Sequence, residues 1–97
     1  MIDFLRKCGF RNSVINEIKS NNSDANVYNL SCNQYEVLRI VEFLKSLGIK
    51  NIGVLLSYKI NLFFMTLEEV MRLFDREDVN LVVDRINTNY MYIDTLL

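Results

Sequence analysis

Residues 41–51 read Val-Glu-Phe-Leu-Lys-Ser-Leu-Gly-Ile-Lys-Asn, and residues 2–12 read Ile-Asp-Phe-Leu-Arg-Lys-Cys-Gly-Phe-Arg-Asn. Both stretches place an apolar residue, an acid, Phe-Leu, a base, a glycine and an asparagine in the same order, 39 residues apart. A recurrence at this period is typical of stacked-repeat folds, in which each unit buries its apolar face against the next. Weaker echoes relate residues 33–40 to 66–73 and residues 58–61 to 84–87.

The repeat predicts an all-α fold built as a short stack of helical hairpins. Each unit would consist of a helix, a short turn, a second helix and a link into the next unit. The length of 97 residues suits one helical-repeat domain of about two and a half units. The units would span approximately 1–31, 32–66 and 67–97.

The middle unit carries the clearest helical pattern. Apolar residues recur at three- and four-residue steps along one side of its first helix, as in an amphipathic helix. Gly48 follows this stripe where a helix ends in a left-handed residue, and Gly9 holds the same position one unit earlier. Asn12, Asn51 and Asp78 are placed to cap the second helix of each unit. The stripe comprises Val37, Ile40, Val41, Leu44 and Leu47.

The connections between helices are predicted to be of two kinds. Ile60–Met65 reads as an extended apolar link whose phenylalanines belong to the core. Thr66 and Glu69 then form a capping-box signature that begins the next helix. Residues 19–26 read as a polar loop inserted into the first unit, because they lack periodicity.

The C-terminal part allows a second interpretation. Residues 81–86 and 90–93 are rich in valine, isoleucine and tyrosine, which favour strands, and Asn-Thr-Asn at 87–89 suits a turn. An α+β domain with a C-terminal β-hairpin within residues 79–95 is therefore the alternative to the all-α fold.

Composition argues against catalytic and metal-dependent functions. The chain has no histidine, and Cys8 and Cys32 fit no metal-ligand spacing, so neither a metal site nor a cofactor is predicted. There is no Gly-rich phosphate loop, and no serine or cysteine stands beside a candidate base. We therefore expect a non-enzymatic protein with no evident small-molecule substrate and no catalytic residues. Cys8 is expected to be a small buried hydrophobe.

The sequence also indicates a cytoplasmic protein without a membrane partner. No apolar run approaches the roughly 18–20 residues that a membrane span requires. Charged side chains interrupt the apolar residues at the N-terminus, so a signal peptide is not expected. A cysteine expected to be a small buried hydrophobe rather than a reactive thiol fits a reducing compartment.

Residues 41–49 and 51–70 resemble the helical repeat of the mitochondrial transcription termination factor (mTERF) family. The shared features are an aliphatic helix ending in Leu-Gly, a short second helix, a leucine-rich link and a Ser or Thr that begins the next helix. This resemblance implies a helical solenoid whose concave groove binds nucleic acid. The chain departs from the family in having Ile60 where a proline is usual, and in its net charge of −1 where the family's groove is strongly basic.

Basic residues recur at equivalent positions of the units. Arg11 and Lys50 follow the helix-ending glycines, and Lys19, Lys59 and Arg85 fall near the end of each unit's second helix. Affinity for nucleic acid depends on several such contacts to phosphates. These cations are therefore the candidate nucleic-acid ligands.

The C-terminal residues form the other candidate surface. A terminal repeat normally carries a polar outer face, and the end of this chain lacks one. The sequence therefore predicts a non-enzymatic interaction module that recognises a protein or forms a homodimer through an apolar terminal face. Binding of nucleic acid is the alternative function. The residues of the predicted face are Tyr90, Met91, Tyr92, Ile93, Leu96 and Leu97.

Overall fold

The computed structural model describes residues 1–76 and 78–97, and within these ranges the chain is helical and contains no strand. The all-α prediction is therefore confirmed. The radius of gyration, 12.6 Å, is close to the roughly 13 Å expected for one domain of this length. The α-helices are α1 (Asn12–Asn21), α2 (Asp24–Cys32), α3 (Gln34–Ser46), α4 (Ile52–Tyr58), α5 (Leu67–Phe74) and α6 (Val79–Thr88). The 3₁₀-helices are η1 (Asp3–Cys8), η2 (Ile60–Phe64) and η3 (Tyr90–Thr95).

The C-terminal β-hairpin does not form. Residues 79–88 are the helix α6, and the tyrosine-rich segment after them is the 3₁₀-helix η3. Val82, Val83 and Ile86 are buried on one side of α6. Residues at this spacing share one face of a helix but would alternate across a strand, so burial overrides their β preference.

Glycine ends the helices as predicted. Gly48 has φ 94° and Gly9 has φ 90°, both in the left-handed region. The N–H of Gly48 donates to Lys45 O at 3.0 Å, and the N–H of Ile49 donates to Leu44 O at 3.2 Å. This is the pair of hydrogen bonds that defines a Schellman turn. The turn ends α3 and leads into α4.

The predicted caps of α5 and α6 are confirmed. Thr66 Oγ1 accepts from the Glu69 N–H at 3.2 Å, and a carboxylate oxygen of Glu69 accepts from the Thr66 N–H at 3.1 Å. The side chain of Asp78 accepts from the Asn80 N–H at 3.0 Å. Each bond satisfies an N–H that the first helical turn leaves without a partner.

The predicted asparagine caps of α1 and α4 are wrong. Asn51 precedes α4, but its Nδ2 donates to Ile86 O at 2.9 Å. Asn12 is the first residue of α1, and its Oδ1 accepts from Arg6 Nε at 2.7 Å. Both amides therefore bond to residues outside the helix that they were expected to cap.

The polar loop predicted for residues 19–26 is almost entirely helical. α1 continues to Asn21, and α2 begins at Asp24 after Ser23, whose side chain accepts from the Asn26 N–H at 3.1 Å. Val27 and Leu30 of α2 are buried in the core. The cap and these two apolar residues hold the helix against the core.

The link that was predicted to be extended is the 3₁₀-helix η2. Ile60 and Phe63 lie three residues apart and are both buried, as the three-residue turn of a 3₁₀-helix requires. Phe64 falls on the opposite side and is partly exposed, so its predicted place in the core is wrong.

Helix α4 packs chiefly on α1 and lies along it in the same direction. At one end, Gly53 of α4 faces Val14 of α1. At the other end, Asn22 Nδ2 donates to Leu56 O at 3.1 Å and to Ser57 O at 3.2 Å. The missing side chain at Gly53 allows the two helices to approach closely at their first turns.

Helix α6 joins this core through its C-terminal end. Asn87 donates to Gly48 O at 3.0 Å and accepts from the Lys50 N–H at 2.8 Å. Outside this junction, α6 packs chiefly on η3. The two elements therefore form the C-terminal edge of the structure.

Candidate interaction surface

The predicted apolar face divides into two sides because η3 is a 3₁₀-helix. Residues three apart lie above one another in such a helix. Tyr90 is partly buried, and Ile93 and Leu96 are fully buried. These two last residues belong to the protein's own core, and their predicted place on an interface must be withdrawn.

The outward side of the C-terminal segment carries Met91, Asp94 and Leu97. Met91 is 53% exposed and Leu97 is 57% exposed. Asp94 stands between them in sequence and forms an ion pair with Lys59 at 2.8 Å. The exposed face is therefore apolar at two positions and charged at the middle one.

An open hollow of about 470 Å³ lies between α6 and η3. Within it, Arg85 Nη1 donates to the Tyr92 hydroxyl at 3.2 Å, and the guanidinium carbon lies 5.4 Å from the Tyr92 ring centroid. The aromatic ring and its hydroxyl together hold this cation in place. We call this site the C-terminal hollow, and it is lined by Asp84, Arg85, Thr88, Asn89, Met91 and Tyr92.

The structure brings together predicted residues of two kinds in this hollow. Arg85 was a candidate nucleic-acid ligand, whereas Met91 and Tyr92 were candidate interface residues. Asp84, Thr88 and Asn89 complete the lining and were not predicted. The sequence did carry one sign of Asp84 and Thr88. They lie four residues apart in α6, and this spacing places them together on the side of the helix opposite its buried valines.

The predicted cations do not gather in one groove. Lys59 pairs with Asp94, and Arg85 bonds to Tyr92. Arg11 and Lys19 flank the two ends of α1, about 12 Å apart along the helix axis at 1.5 Å per residue. Lys50 borders a separate groove between α1 and α4. The side chains of Arg11, Lys19 and Lys50 are exposed and form no ion pair within residues 1–76 and 78–97.

A second groove, not predicted from the sequence, lies between α3 and the start of α5. Its volume is about 540 Å³, and its lining is mainly apolar. Tyr35 at its edge is 74% exposed and stacks with Arg39, whose guanidinium carbon is 5.5 Å from the ring centroid. Arg39 also pairs with Glu36 at 3.3 Å. The groove is lined by Tyr35, Leu38, Arg39, Glu42, Phe43 and Leu67.

Within residues 1–76 and 78–97, three ionisable groups have a shifted pKa, each for a local structural reason. Cys8 is buried, as predicted, and this burial raises the pKa of its thiol. A hydrogen bond with Cys32 raises the pKa of Tyr28. The backbone N–H and then the hydroxyl of Thr66 lower the pKa of Glu69. None of these groups lies in the C-terminal hollow.

Among the described residues, no three histidine, cysteine or acidic side chains cluster in a way that could hold a metal ion. No helix in residues 1–76 and 78–97 combines the length and apolar character needed to cross a bilayer. No protein-family model, curated protein or solved structure matches the chain.

Proposed function

We propose that this protein is a non-enzymatic interaction module that recognises a protein surface, or a second copy of itself, through its C-terminal edge. The observation that carries the proposal is the exposure of Met91 beside the Arg85–Tyr92 pair in the C-terminal hollow. Exposed apolar side chains next to an aromatic ring and an arginine are the composition that protein interfaces favour.

We further propose that the chain is a short helical repeat with units at approximately 1–31, 32–66 and 67–97. Support comes from the order of elements, because among the described residues about three helical segments fall in each of these ranges in succession. The second and third units each end in a 3₁₀-helix, η2 and η3. Among the described residues, nothing covers the outward side of the C-terminal segment, where Met91 and Leu97 are exposed, and this side is available to a partner.

A substitution in the hollow tests the interaction proposal. Met91→Asp places a charge on the exposed side of η3, where it should alter solubility and weaken self-association while leaving the fold intact. Sedimentation velocity up to roughly 1 mM, the range of the weakest specific complexes, measures association. Ser20→Asp on the exposed side of α1 is the matched control. A wild-type monomer at that concentration, together with unchanged solubility of Met91→Asp, would contradict the proposal.

Binding of nucleic acid through an mTERF-like arrangement is the second candidate. It is favoured by the exposed side chains of Arg11, Lys19 and Lys50, which have no ion-pair partner among the described residues. The pairing of Lys59 with Asp94 weakens it, because a neutralised cation attracts phosphate less strongly.

A mobility shift of short single-stranded and duplex oligonucleotides tests this candidate. Binding should appear at low salt, fall steeply as salt is raised, and weaken when Arg11, Lys19 and Lys50 are changed together to alanine. Absence of any shift at low salt rejects this candidate and leaves the protein-recognition proposal in place.

A further inference from the structure

We propose that the partner of the C-terminal hollow is a second copy of this chain, bound in a two-fold symmetric dimer in which the two α6 helices run antiparallel. The inference rests on the proposed function and specifies its partner. It depends on three features of the edge formed by α6 and η3: an exposed helix side, a self-complementary charge pair and an apolar residue at each end.

Within the described part of the chain, the outer side of α6 is exposed apart from the contact of Arg85 with Tyr92 of η3. Leu81, Thr88 and the Asp84–Arg85 pair lie at three- and four-residue spacing and therefore share this side. All of them are exposed, and Leu81 retains 44% of its accessible surface. Since the opposite side of α6 is buried in the core, the helix is free to contact a second molecule along its outer side.

The charges on this side complement themselves under a two-fold rotation. In an isologous dimer, if residue i of one copy meets residue j of the other, then j also meets i. Asp84 and Arg85 are adjacent in the helix and so do not face each other. Neither forms an ion pair in residues 1–76 and 78–97. An antiparallel copy centred on these residues brings Asp84 of each molecule to Arg85 of the other.

The guanidinium of Arg85 is already positioned for such a contact. Its Nη1 donates to the Tyr92 hydroxyl, and its carbon lies 5.4 Å from the Tyr92 ring centroid. An arginine carries five N–H donors, so this bond leaves most of them for a carboxylate. Because the side chain is held before binding, less conformational entropy is lost when the dimer forms.

The apolar residues at the two ends fit the same symmetry. Leu81 lies one turn before Asp84, and Met91 is the second residue of η3, which follows α6. Reversing the second helix places Leu81 of one copy towards Thr88 and Met91 of the other. Two exposed apolar contacts then flank the two charge pairs.

The size of this edge predicts a weak dimer. A stable complex buries about 800 Å² on each partner, whereas one ten-residue helix and a short 3₁₀ segment offer less. We therefore expect a dissociation constant in the micromolar range or weaker, roughly 10 µM to 1 mM. Measurement of association must cover this concentration range.

Reversal of the charges tests the arrangement. Asp84→Arg alone and Arg85→Asp alone each place like charges opposite each other, and each should weaken self-association at least about tenfold by sedimentation equilibrium. An equimolar mixture of these two variants restores every attractive pair, and so does the double variant that carries both changes. Both should associate more tightly than either single variant does alone. Glu17→Arg on the exposed side of α1 is the charge-reversal control and should have no effect.

Disulfide cross-linking gives a second measurement that leaves Arg85 unchanged. In a Cys32→Ser background, molecules carrying Leu81→Cys should cross-link to molecules carrying Met91→Cys faster than either variant cross-links to itself. Circular dichroism of each variant checks that the helical fold is retained.

The outcomes separate this inference from the proposed function. A wild-type protein that stays monomeric throughout the concentration range overturns the dimer. The antiparallel arrangement is overturned if the charge reversals leave the dissociation constant unchanged. It is also overturned if mixing the two variants does not restore association. If Met91→Asp still weakens association in that case, the proposed function stands. If Met91→Asp alters neither association nor solubility, the dimer and the proposed function are both contradicted.

Discussion

At Gly48 and Gly53 the same residue type is required for two different reasons. Gly48 has φ 94°, which side chains with a Cβ rarely adopt, and the space around it is nearly open. Gly53 lies inside α4 with ordinary helical geometry, but a Cβ there would lie 2.6 Å from Val14 Cγ1. The first glycine serves the backbone and the second serves the contact between helices. Only the first role could be predicted from the sequence, because it depends on position in the helix alone.

Gly48→Ala should lower the free energy of unfolding by about 1–2 kcal/mol, because alanine is strained in the left-handed conformation. Gly48→Asn should lose less, since asparagine tolerates this region better. Urea unfolding followed by circular dichroism measures both. Equal losses for alanine and asparagine would contradict the backbone explanation.

Gly53→Ala should destabilise by roughly 1–3 kcal/mol, as expected when a methyl group is added to a packed contact. Val14→Ala removes the side chain that the new methyl group meets. In the double variant the cost of Gly53→Ala should therefore fall, which a double-mutant cycle of unfolding free energies would reveal. If the unfolding free energies of the two variants simply add, the contact between Gly53 and Val14 does not account for the cost of Gly53→Ala.

At the scale of single elements, capping residues predicted where helices begin and end. The sequence did not show which helical segments are α-helices and which are 3₁₀-helices. The capping box of α5 depends on two residues three apart, and both of its hydrogen bonds are present. The link at residues 60–64 and the tail at 90–95 were not recognised as 3₁₀-helices. What marks a segment as a 3₁₀-helix is burial of side chains three residues apart, such as Ile60 and Phe63. Which side chains are buried depends on the surrounding core, so this sign cannot be read from the segment alone.

Thr66→Ala should cost about 1 kcal/mol, the usual value of an N-cap hydroxyl, measured by urea unfolding near neutral pH. Ser46→Ala is a control outside the cap, because the hydroxyl of Ser46 only donates to a carbonyl within its own helix. A loss no larger than that of the control would contradict the role of the cap.

The carboxylate of the same cap should make stability depend on pH. Bonds from the Thr66 backbone N–H and hydroxyl lower the pKa of Glu69 in the folded state. Its stabilising contribution is then fully present above the ordinary carboxyl pKa of about 4.3 and is lost as the pH falls through the folded value. The difference in unfolding free energy between wild type and Glu69→Gln should therefore shrink in acid. A pH-independent difference would contradict this.

At the scale of the whole molecule, η3 is attached to the core by its buried side. Ile93 is fully buried, whereas the ion pair between Asp94 and Lys59 lies at the surface. Burial of an aliphatic side chain contributes far more than an exposed ion pair, which is usually worth less than about 1 kcal/mol. The inward residues should thus determine the stability of this edge, and the outward residues should determine its interactions.

Ile93→Ala should lower the free energy of unfolding by about 2–5 kcal/mol, as for other buried aliphatic truncations. Asp94→Asn should lower it by less than about 1 kcal/mol. Met91→Ala should change it by no more than about 0.5 kcal/mol, because the side chain is mostly exposed. Chemical denaturation gives all three values, and a loss at Met91 as large as that at Ile93 would refute the division of η3 into two sides.

The candidate site was predictable only in part. Its position followed from the cluster of apolar residues within 90–97. Which residues belong to the site could not be predicted, because six neighbouring apolar residues are indistinguishable in a sequence. Ile93 and Leu96 turn into the core while Met91 and Leu97 turn outward. The hollow also includes Arg85 of α6. Its position beside η3 depends on how α6 and η3 pack together, which the sequence does not show.

The sequence by itself determined the left-handed ends at Gly9 and Gly48 and the cap at Thr66. Each of these depends on interactions within a few residues, so spacing and residue type are sufficient to reveal them. Tertiary structure alone decided that residues 79–88 form a helix, that Asn51 bonds across to α6, and that Lys59 is paired with Asp94. These outcomes depend on burial and on contacts between residues about 35 positions apart, for which no local pattern exists.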